Sequence, residues 1–132
     1  YIYLYTMDGK DLLHDLYQHW SDQSQGREMW IADLQGTTIA TVAIRRVTME
    51  TVELKRVCTE EGYTGQGLAG HMGQFIIARC RELGYKSIVL ATSEVQVEAQ
   101  QLYKKLGFTV TGTNKSIFSA IFTMYNFQLS LQ

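Results

Sequence analysis

Apolar positions change period several times along this chain. Residues 1–6 alternate aromatic and aliphatic side chains, the two-residue repeat of a short strand or extended arm. Asp8-Gly9 turns the chain. Over residues 11–20 the spacing lengthens: Leu12, Leu13, Leu16, Tyr17 and Trp20 share one face at helical spacing. Residues 21–26 are polar and read as loop. Residues 28–34 read as a strand, Gln35-Gly36 as a tight hairpin turn, and Thr37–Arg46 as a long returning strand rich in β-branched residues. A more polar connection over residues 45–50 leads to a third strand, residues 52–58. The clearest helix follows. Leu68, Met72, Phe75, Ile76, Cys80 and Leu83 fall on one stripe, and Gly84 stops it. Residues 87–91 form a short apolar strand of the fully buried kind. Ser93 and Gln96 make a capping box for a second helix carrying Ala99, Leu102, Tyr103 and Leu106, which Gly107 stops. Strands over residues 109–113 and about 119–129 complete the pattern.

This order, an antiparallel meander and then strand–helix–strand–helix–strand, predicts a mixed α/β sheet with helices on both faces. The strands over residues 52–58 and 87–91 are expected to be parallel neighbours joined by a right-handed helical crossover. Their ends are expected to splay and leave a cleft.

The turn between the third strand and the long helix holds Gly62, Gly65 and Gly67, followed by Ala69 and Gly70. Residues without bulk let a ligand approach the backbone, and the first amides of a helix have no intrahelical partner. Those N–H groups and the positive end of the helix dipole suit a phosphate. A plain glycine-rich turn is the alternative from these residues alone. The same residues fit G-x-G-x-x-G, but the dinucleotide fingerprint needs its first glycine directly after the strand and an acidic residue about 20 positions on. Here six residues separate Cys58 from Gly65, and the next strand runs into Thr92 and Ser93. No Gly-Lys-Ser/Thr marks a P-loop either. Coenzyme A is the better match: its pyrophosphate suits the turn, and its narrow pantetheine arm suits backbone exposed in a splayed cleft.

A chain of 132 residues suits one domain with one core. Net charge is −1 and basic residues occur in pairs rather than as a field, which argues against a nucleic-acid surface. Two cysteines, Cys58 and Cys80, are too few for a disulfide scaffold, and both read as buried free thiols. His14, His19 and His71 are scattered, so no metal site is expected. No apolar run approaches the roughly 18 residues of a spanning helix, and no signal peptide is visible. The chain starts at Tyr1 without an initiator Met, as a fragment would.

Two motifs together resemble the GNAT superfamily of acetyl-CoA-dependent N-acetyltransferases. The family's pyrophosphate motif, Arg/Gln-x-x-Gly-x-Gly/Ala, is matched by Thr64-Gly65-Gln66-Gly67-Leu68-Ala69, with Thr64 where Arg or Gln is usual. The family's Asn-x-x-Ala-x-x-Leu-Tyr helix, ending in Leu-Gly-Phe, is matched from Gln96 through Ala99, Leu102 and Tyr103 to Leu106-Gly107-Phe108, with Gln96 for Asn. Leu90-Ala91-Thr92-Ser93, Gln96 and the aromatic-rich tail are similar to the camello-type, N-acetyltransferase-eight-like branch. The resemblance implies a GNAT-like fold: a central, mostly antiparallel mixed sheet with a splayed parallel strand pair and helices on both faces. It also implies a single acetyltransferase domain, which in that branch a further strand, a helix and a membrane anchor to the endoplasmic reticulum usually precede. None is seen here, as expected of a fragment or of a shortened relative.

The resemblance further implies roles for particular residues. Thr64, Gly65, Gln66, Gly67, Leu68, Ala69 and Gly70 would hold the pyrophosphate. Val57 and Thr59 would pair with the pantetheine arm through backbone groups, and an amide there would stabilise the thioester oxyanion. Gln96 would donate to the cofactor as well as cap its helix. Tyr103 would protonate the departing thiolate, which a phenol of pKa about 10 can do at neutral pH. Without the resemblance, Tyr103 reads as a core aromatic on the stripe of Ala99 and Leu106. Members of the family often take the amine's proton with a strand carboxylate or a water chain. Glu53, on the face of Lys55 and Val57, is the candidate general base, and an exposed strand-edge charge paired with Lys55 is the alternative reading.

The function implied is acetyl transfer from acetyl-CoA to a primary amine by direct attack in a ternary complex. Cys58 as a nucleophile lacks a nearby His and ranks below it. The rival from another class is a non-catalytic acyl-CoA-binding regulatory module. Implied acceptors are a small-molecule amine, a cysteine S-conjugate or a protein lysine, and the resemblance also allows a homodimer.

Overall fold

The computed structural model describes residues 3–6, 26–63, 65, 67–115 and 123–132. The turn at Asp8-Gly9, the helix expected over residues 11–20, most of the loop after it and the start of the last expected strand lie outside these residues. Within them the order is β1 (Tyr3–Thr6), β2 (Arg27–Leu34), β3 (Thr37–Arg46), β4 (Thr51–Thr59), a short 3₁₀ turn (Glu61–Tyr63), α1 (Leu68–Glu82), β5 (Ser87–Ser93), α2 (Val97–Lys105), β6 (Thr109–Lys115) and β7 (Thr123–Ser130). The strands form one seven-stranded sheet in the order β1-β2-β3-β4-β5-β7-β6. Every neighbouring pair is antiparallel except β4–β5. This is the mixed, mostly antiparallel sheet that the pattern predicts.

Local chemistry sets the early register. Gln35 and Gly36 both have positive φ, 52° and 87°, as a two-residue primed turn requires, and the Asp33 carboxylate accepts from the Gly36 N–H at 3.1 Å. The hairpin therefore pairs Leu34 with Thr37 directly. Further along β3, the register against β4 shifts between Thr41 and Ala43: Ala43 faces Lys55, but Thr41 faces Cys58. One residue of β3 thus opposes two of β4, a β-bulge at residues 56–57 that bends β4 and raises its twist.

Both described helices pack on one face of the sheet. Register and pleat place Trp30, Val42, Ile44, Val52, Leu54, Ile88, Leu90 and Phe127 on that face, and all are buried. Leu68, Met72, Ile76, Ile77 and Cys80 of α1 are buried with them in one core cluster. Trp30 meets Phe75 edge to face at 5.8 Å. The expected α1 stripe needs two corrections: Leu83 lies just past the helix and is exposed, and Ile77 is buried in its place. Glu28 is on this face too, and its carboxylate takes the Arg79 guanidinium at 3.0 Å, tying the last turns of α1 to β2. This hydrogen-bonded pairing raises the Arg79 pKa. Helix α2 lies against α1: a Cβ on Gly73 would come within 2.5 Å of the Leu106 side chain, so the glycine sits where the helices crowd. Met29, Ile31 and Ala43 are buried on the opposite face.

Candidate active site

The cleft expected between the parallel strands is present, and its cause is visible. β4 and β5 pair only over Thr51–Ser87, Val52–Ile88 and Glu53–Val89. Beyond Glu53 the bulged strand leaves its neighbour, so the β5-facing backbone of residues 54–59 has no strand partner among the described residues. The resulting cleft is ≈ 970 Å³ and is walled by Leu54 and Val57 of β4, Leu90 of β5, the start of α1, and Tyr103 of α2. Lys55, Cys58 and Ala91 line it as well. These three alternate onto the face away from the helices. The cleft is therefore a slot that passes through the sheet where the two strands part.

On the helix side, the slot meets the start of α1. Gly65 and Gly67 have φ of 77° and 78°, a left-handed conformation that side chains rarely adopt, and this turns the chain sharply into the helix. Gly67 is the N-cap, with no side-chain hydrogen bond to the first turn, and that turn carries no acidic residue. The amides of Leu68, Ala69 and Gly70 are thus donors with no intrahelical acceptor. A Cβ on Gly65, Gly67 or Gly70 would meet nothing within 4 Å. Gly70 has ordinary helical φ, so what it contributes is space. A pyrophosphate needs clustered donors and room to approach them, and this turn supplies both. Thr64 and Gln66, the other members of the expected motif, lie outside the described residues.

α2 closes the far wall. Tyr103 is buried, with its ring 5.7 Å from Phe108 and 5.9 Å from Phe127, yet it lines the slot. No described residue is hydrogen-bonded to its hydroxyl, and burial raises its pKa above the usual value near 10. The core-aromatic and proton-donor readings of Tyr103 are therefore compatible: the ring packs and the residue borders the slot.

Gln96 also lines the slot, held differently from the expected capping box. It is the N-cap of α2 and makes no side-chain cap bond. Its Oε1 accepts from Thr92 Oγ1 at 2.7 Å, Ser93 N at 3.0 Å and Ser93 Oγ at 3.2 Å. Only the half of the box that reaches back to Ser93 forms, because β5 extends to Ser93 and the helix starts after Gln96. With Oε1 occupied, the side-chain NH₂ is the group left to donate.

Val57, Thr59, Gly65, Gly67, Leu68, Ala69, Gly70, Gln96 and Tyr103 are brought together around the slot. Glu53 is not among its walls. It sits at the last paired rung of β4–β5, with Oε1 at 2.6 Å from Arg45 Nη2 and 3.7 Å from Lys55 Nζ. Cys58, expected to be buried, is exposed, because the bulge shifts the alternation of β4 and the strand has already left β5. Cys80 is buried as expected, and its thiol pKa is pushed up to about 12, chiefly by desolvation. Sequence reading did not single out Lys55, His71 or Lys105 as slot residues, although all three line it. Lys105 had a signal, standing in the last turn of the Tyr103 helix; Lys55 had none, since its access depends on the splay.

Comparison with known proteins agrees with this geometry. The model of the acetyltransferase (GNAT) family matches residues 3–108. An N-acetylaspartate synthetase of Xenopus tropicalis is 34% identical over 101 residues, covering 76% of this chain and 37% of that protein. The human N-acetyltransferase 8B is 32% identical over 92 residues, covering 66% of this chain and 40% of its own length. The chain thus spans well under half of these relatives. Among solved structures, an acetyl-CoA-bound GNAT family acetyltransferase from Elizabethkingia anophelis superimposes with a TM-score of 0.82 at 19% identity, covering 98% of this chain and 97% of that one. Ard1 from Thermoplasma volcanium gives 0.85 at 16% identity, with 99% and 98% covered. Among the described residues no helix is long and apolar enough to cross a membrane. The family model spans most of the chain, the solved structures share its fold, and the chain belongs to the GNAT acetyltransferases.

Proposed function

We propose that this domain transfers the acetyl group of acetyl-CoA to a primary amine by direct attack in a ternary complex. The observation that carries the reading is the shared slot: donors at the start of α1, unpaired β4 backbone and Tyr103 all border one space. The amides of Leu68, Ala69 and Gly70 hold the pyrophosphate, with Gly65 and Gly67 shaping the turn. The free edge of β4 at Val57 and Thr59 pairs with the pantetheine arm, and the Gln96 NH₂ donates to it. A backbone amide at the bulge faces the thioester oxygen, where charge develops during attack.

Acetyl-CoA supplies an activated carbonyl. The amine nitrogen bonds to that carbon, the carbon–sulfur bond breaks, and the sulfur takes the Tyr103 proton. Water receives the amine's surplus proton and returns one to the phenolate. Burial keeps the Tyr103 phenol protonated well past neutral pH, so the donor is charged with its proton before each turnover. Cys58 lies in the slot but is not needed for this sequence. The relatives bear on the acceptor: an amino-acid amine, as the name N-acetylaspartate synthetase suggests, with a cysteine S-conjugate and a protein lysine as the further candidates.

The test is incubation with acetyl-CoA and a panel of amines while free thiol is followed. Amine-dependent thiol release supports transfer. CoA binding by calorimetry without such release would instead mark a non-catalytic acyl-CoA-binding module.

A further inference from the structure

Among the described residues, the face of the sheet away from the two helices carries more cations than carboxylates around Lys55, which lines the slot. Arg27 and Arg45 stand directly opposite each other on β2 and β3, and Arg45 stands opposite Glu53 on β4. Lys55 is on the same face, two residues along. Three cations are thus gathered around one carboxylate. Glu53 Oε1 serves both Arg45 and Lys55. No ion pair to Arg27 is present among the described residues, and the Nε–H groups of Arg27 and Arg45 are buried without an acceptor. Elsewhere on this face, the β5 and β7 positions Ser87, Val89, Ala91, Asn126 and Gln128 are neutral. Asp33 lies away at the hairpin, bonded to Gly36.

Like charges placed side by side cost free energy unless something neutralises them. Among the described residues, Glu53 is the one carboxylate set against Arg45 and Lys55. The side chains of Arg45 and Lys55 remain 44% and 40% exposed, and Lys55 reaches the slot itself. Arg and Lys positioned this way hold a carboxylate by charge-assisted hydrogen bonds.

Resting on the transfer reading above, we infer that Lys55 and Arg45 form the acceptor's carboxylate subsite, so that the preferred amine carries a carboxylate of its own. The acceptor enters from the sheet face opposite the helices, puts its carboxylate against Lys55 and Arg45, and directs its amine into the slot. Glu53 is then a positioning residue: it holds the two cations toward the mouth and keeps the cluster from repelling itself. Arg27 adds long-range attraction from the next strand. A polyamine or a bare alkylamine meets the same cations and is disfavoured.

The experiment uses matched acceptors that differ by one carboxylate: S-benzylcysteine with S-benzylcysteamine, and aspartate with β-alanine. Specificity is read as the ratio of kcat/KM within each pair, and binding to the CoA-loaded protein is measured by calorimetry for the same four compounds. The ratio is expected to favour the extra carboxylate about tenfold or more, as one charge-assisted contact would give. Lys55→Met and Arg45→Met should each erase most of that preference, Lys55→Arg should keep it, and added salt should shrink it. Equal use and equal binding within both pairs, or a preference that survives Lys55→Met and Arg45→Met, overturns the subsite. If no amine releases thiol but calorimetry still discriminates within the pairs, the transfer reading falls and the subsite stands.

Discussion

The two ends of β4 share a strand and little else. Over residues 51–53 the backbone is bonded on both sides, Val52 is fully buried, Thr51 Oγ1 meets Ser87 Oγ at 3.1 Å, and Glu53 is tied to Arg45. From Leu54 onward one side is open, Val57 is 38% exposed, and the strand bends through a bulge. The α1 crossover keeps the division: its first turn stands at the open end, and its last turns come back to Ser87 at the closed end. One half therefore holds the sheet together, and the other is free to bind. Substitutions at the open end should cost function with little stability, and those of buried closed-end residues such as Val52 the reverse.

The largest effect is expected at Tyr103. Tyr103→Phe keeps the ring against Phe108 and Phe127 and removes the donor. Turnover should fall about 10²–10⁴-fold with acetyl-CoA affinity nearly constant. Retained turnover with a lowered melting temperature would assign Tyr103 to the closed-end group, as a core residue only.

Alkaline pH probes the closed end. The Cys80 thiol ionises near 9.0 when free and only at about 12 in the fold. A raised pKa in an acid that is neutral when protonated means stability is intact below pH 9 and drains away as pH rises toward 12. Tyr103 contributes in the same direction. The loss from Cys80 is on the order of 4 kcal/mol once both states are ionised. Denaturant titrations between pH 8 and 11 should show it, and Cys80→Ala should flatten the slope. An equal slope in that variant would mean that the thiol is not the group responsible.

Gly70 separates binding from folding within a single residue. Gly70→Leu places bulk in open space at the first turn of α1 and should weaken CoA binding tenfold or more without unfolding the protein. Gly70→Ala should raise stability by about 0.5–1 kcal/mol, because glycine inside a helix is costly. CoA affinity unaffected by the leucine would move the pyrophosphate away from this turn.

The smallest effect is expected at Glu53. It is a partly exposed partner in a surface ion pair, so Glu53→Gln should cost less than about 1 kcal/mol. Turnover should drop less than tenfold, with the pH–rate profile keeping its acidic limb. A hundredfold loss together with a flattened acidic limb would restore Glu53 as the general base.

Most of this fold was legible because its signals are local. Gln35-Gly36 can hardly be anything but a primed turn between two β-branched runs, and Thr37–Arg46 reads directly as strand. The parallel pair followed from the long helix between two apolar runs. The slot's glycines and Tyr103 were legible through two spaced motifs. What escaped has a common origin. No residue type marks the bulge at 56–57, because it arises from how β3 and β4 pair. The face that Cys58 takes follows from it, while the access of Lys55 and the position of Glu53 outside the slot follow from where β4–β5 pairing ends, at Glu53–Val89. Leu83 was misplaced for a smaller reason: the helix ends one residue before the stripe does.

Among the described residues, the slot is lined from both faces of the sheet, and each side is a separate target. On the proposed transfer reading, a compound that plugs the helix-side mouth is expected to compete with the acyl donor, and one that plugs the Lys55 mouth with the amine. Joining the two would give a compound whose middle must thread between the backbones of β4 and β5. Its waist could be no wider than the thioester it replaces, whatever its two ends carry.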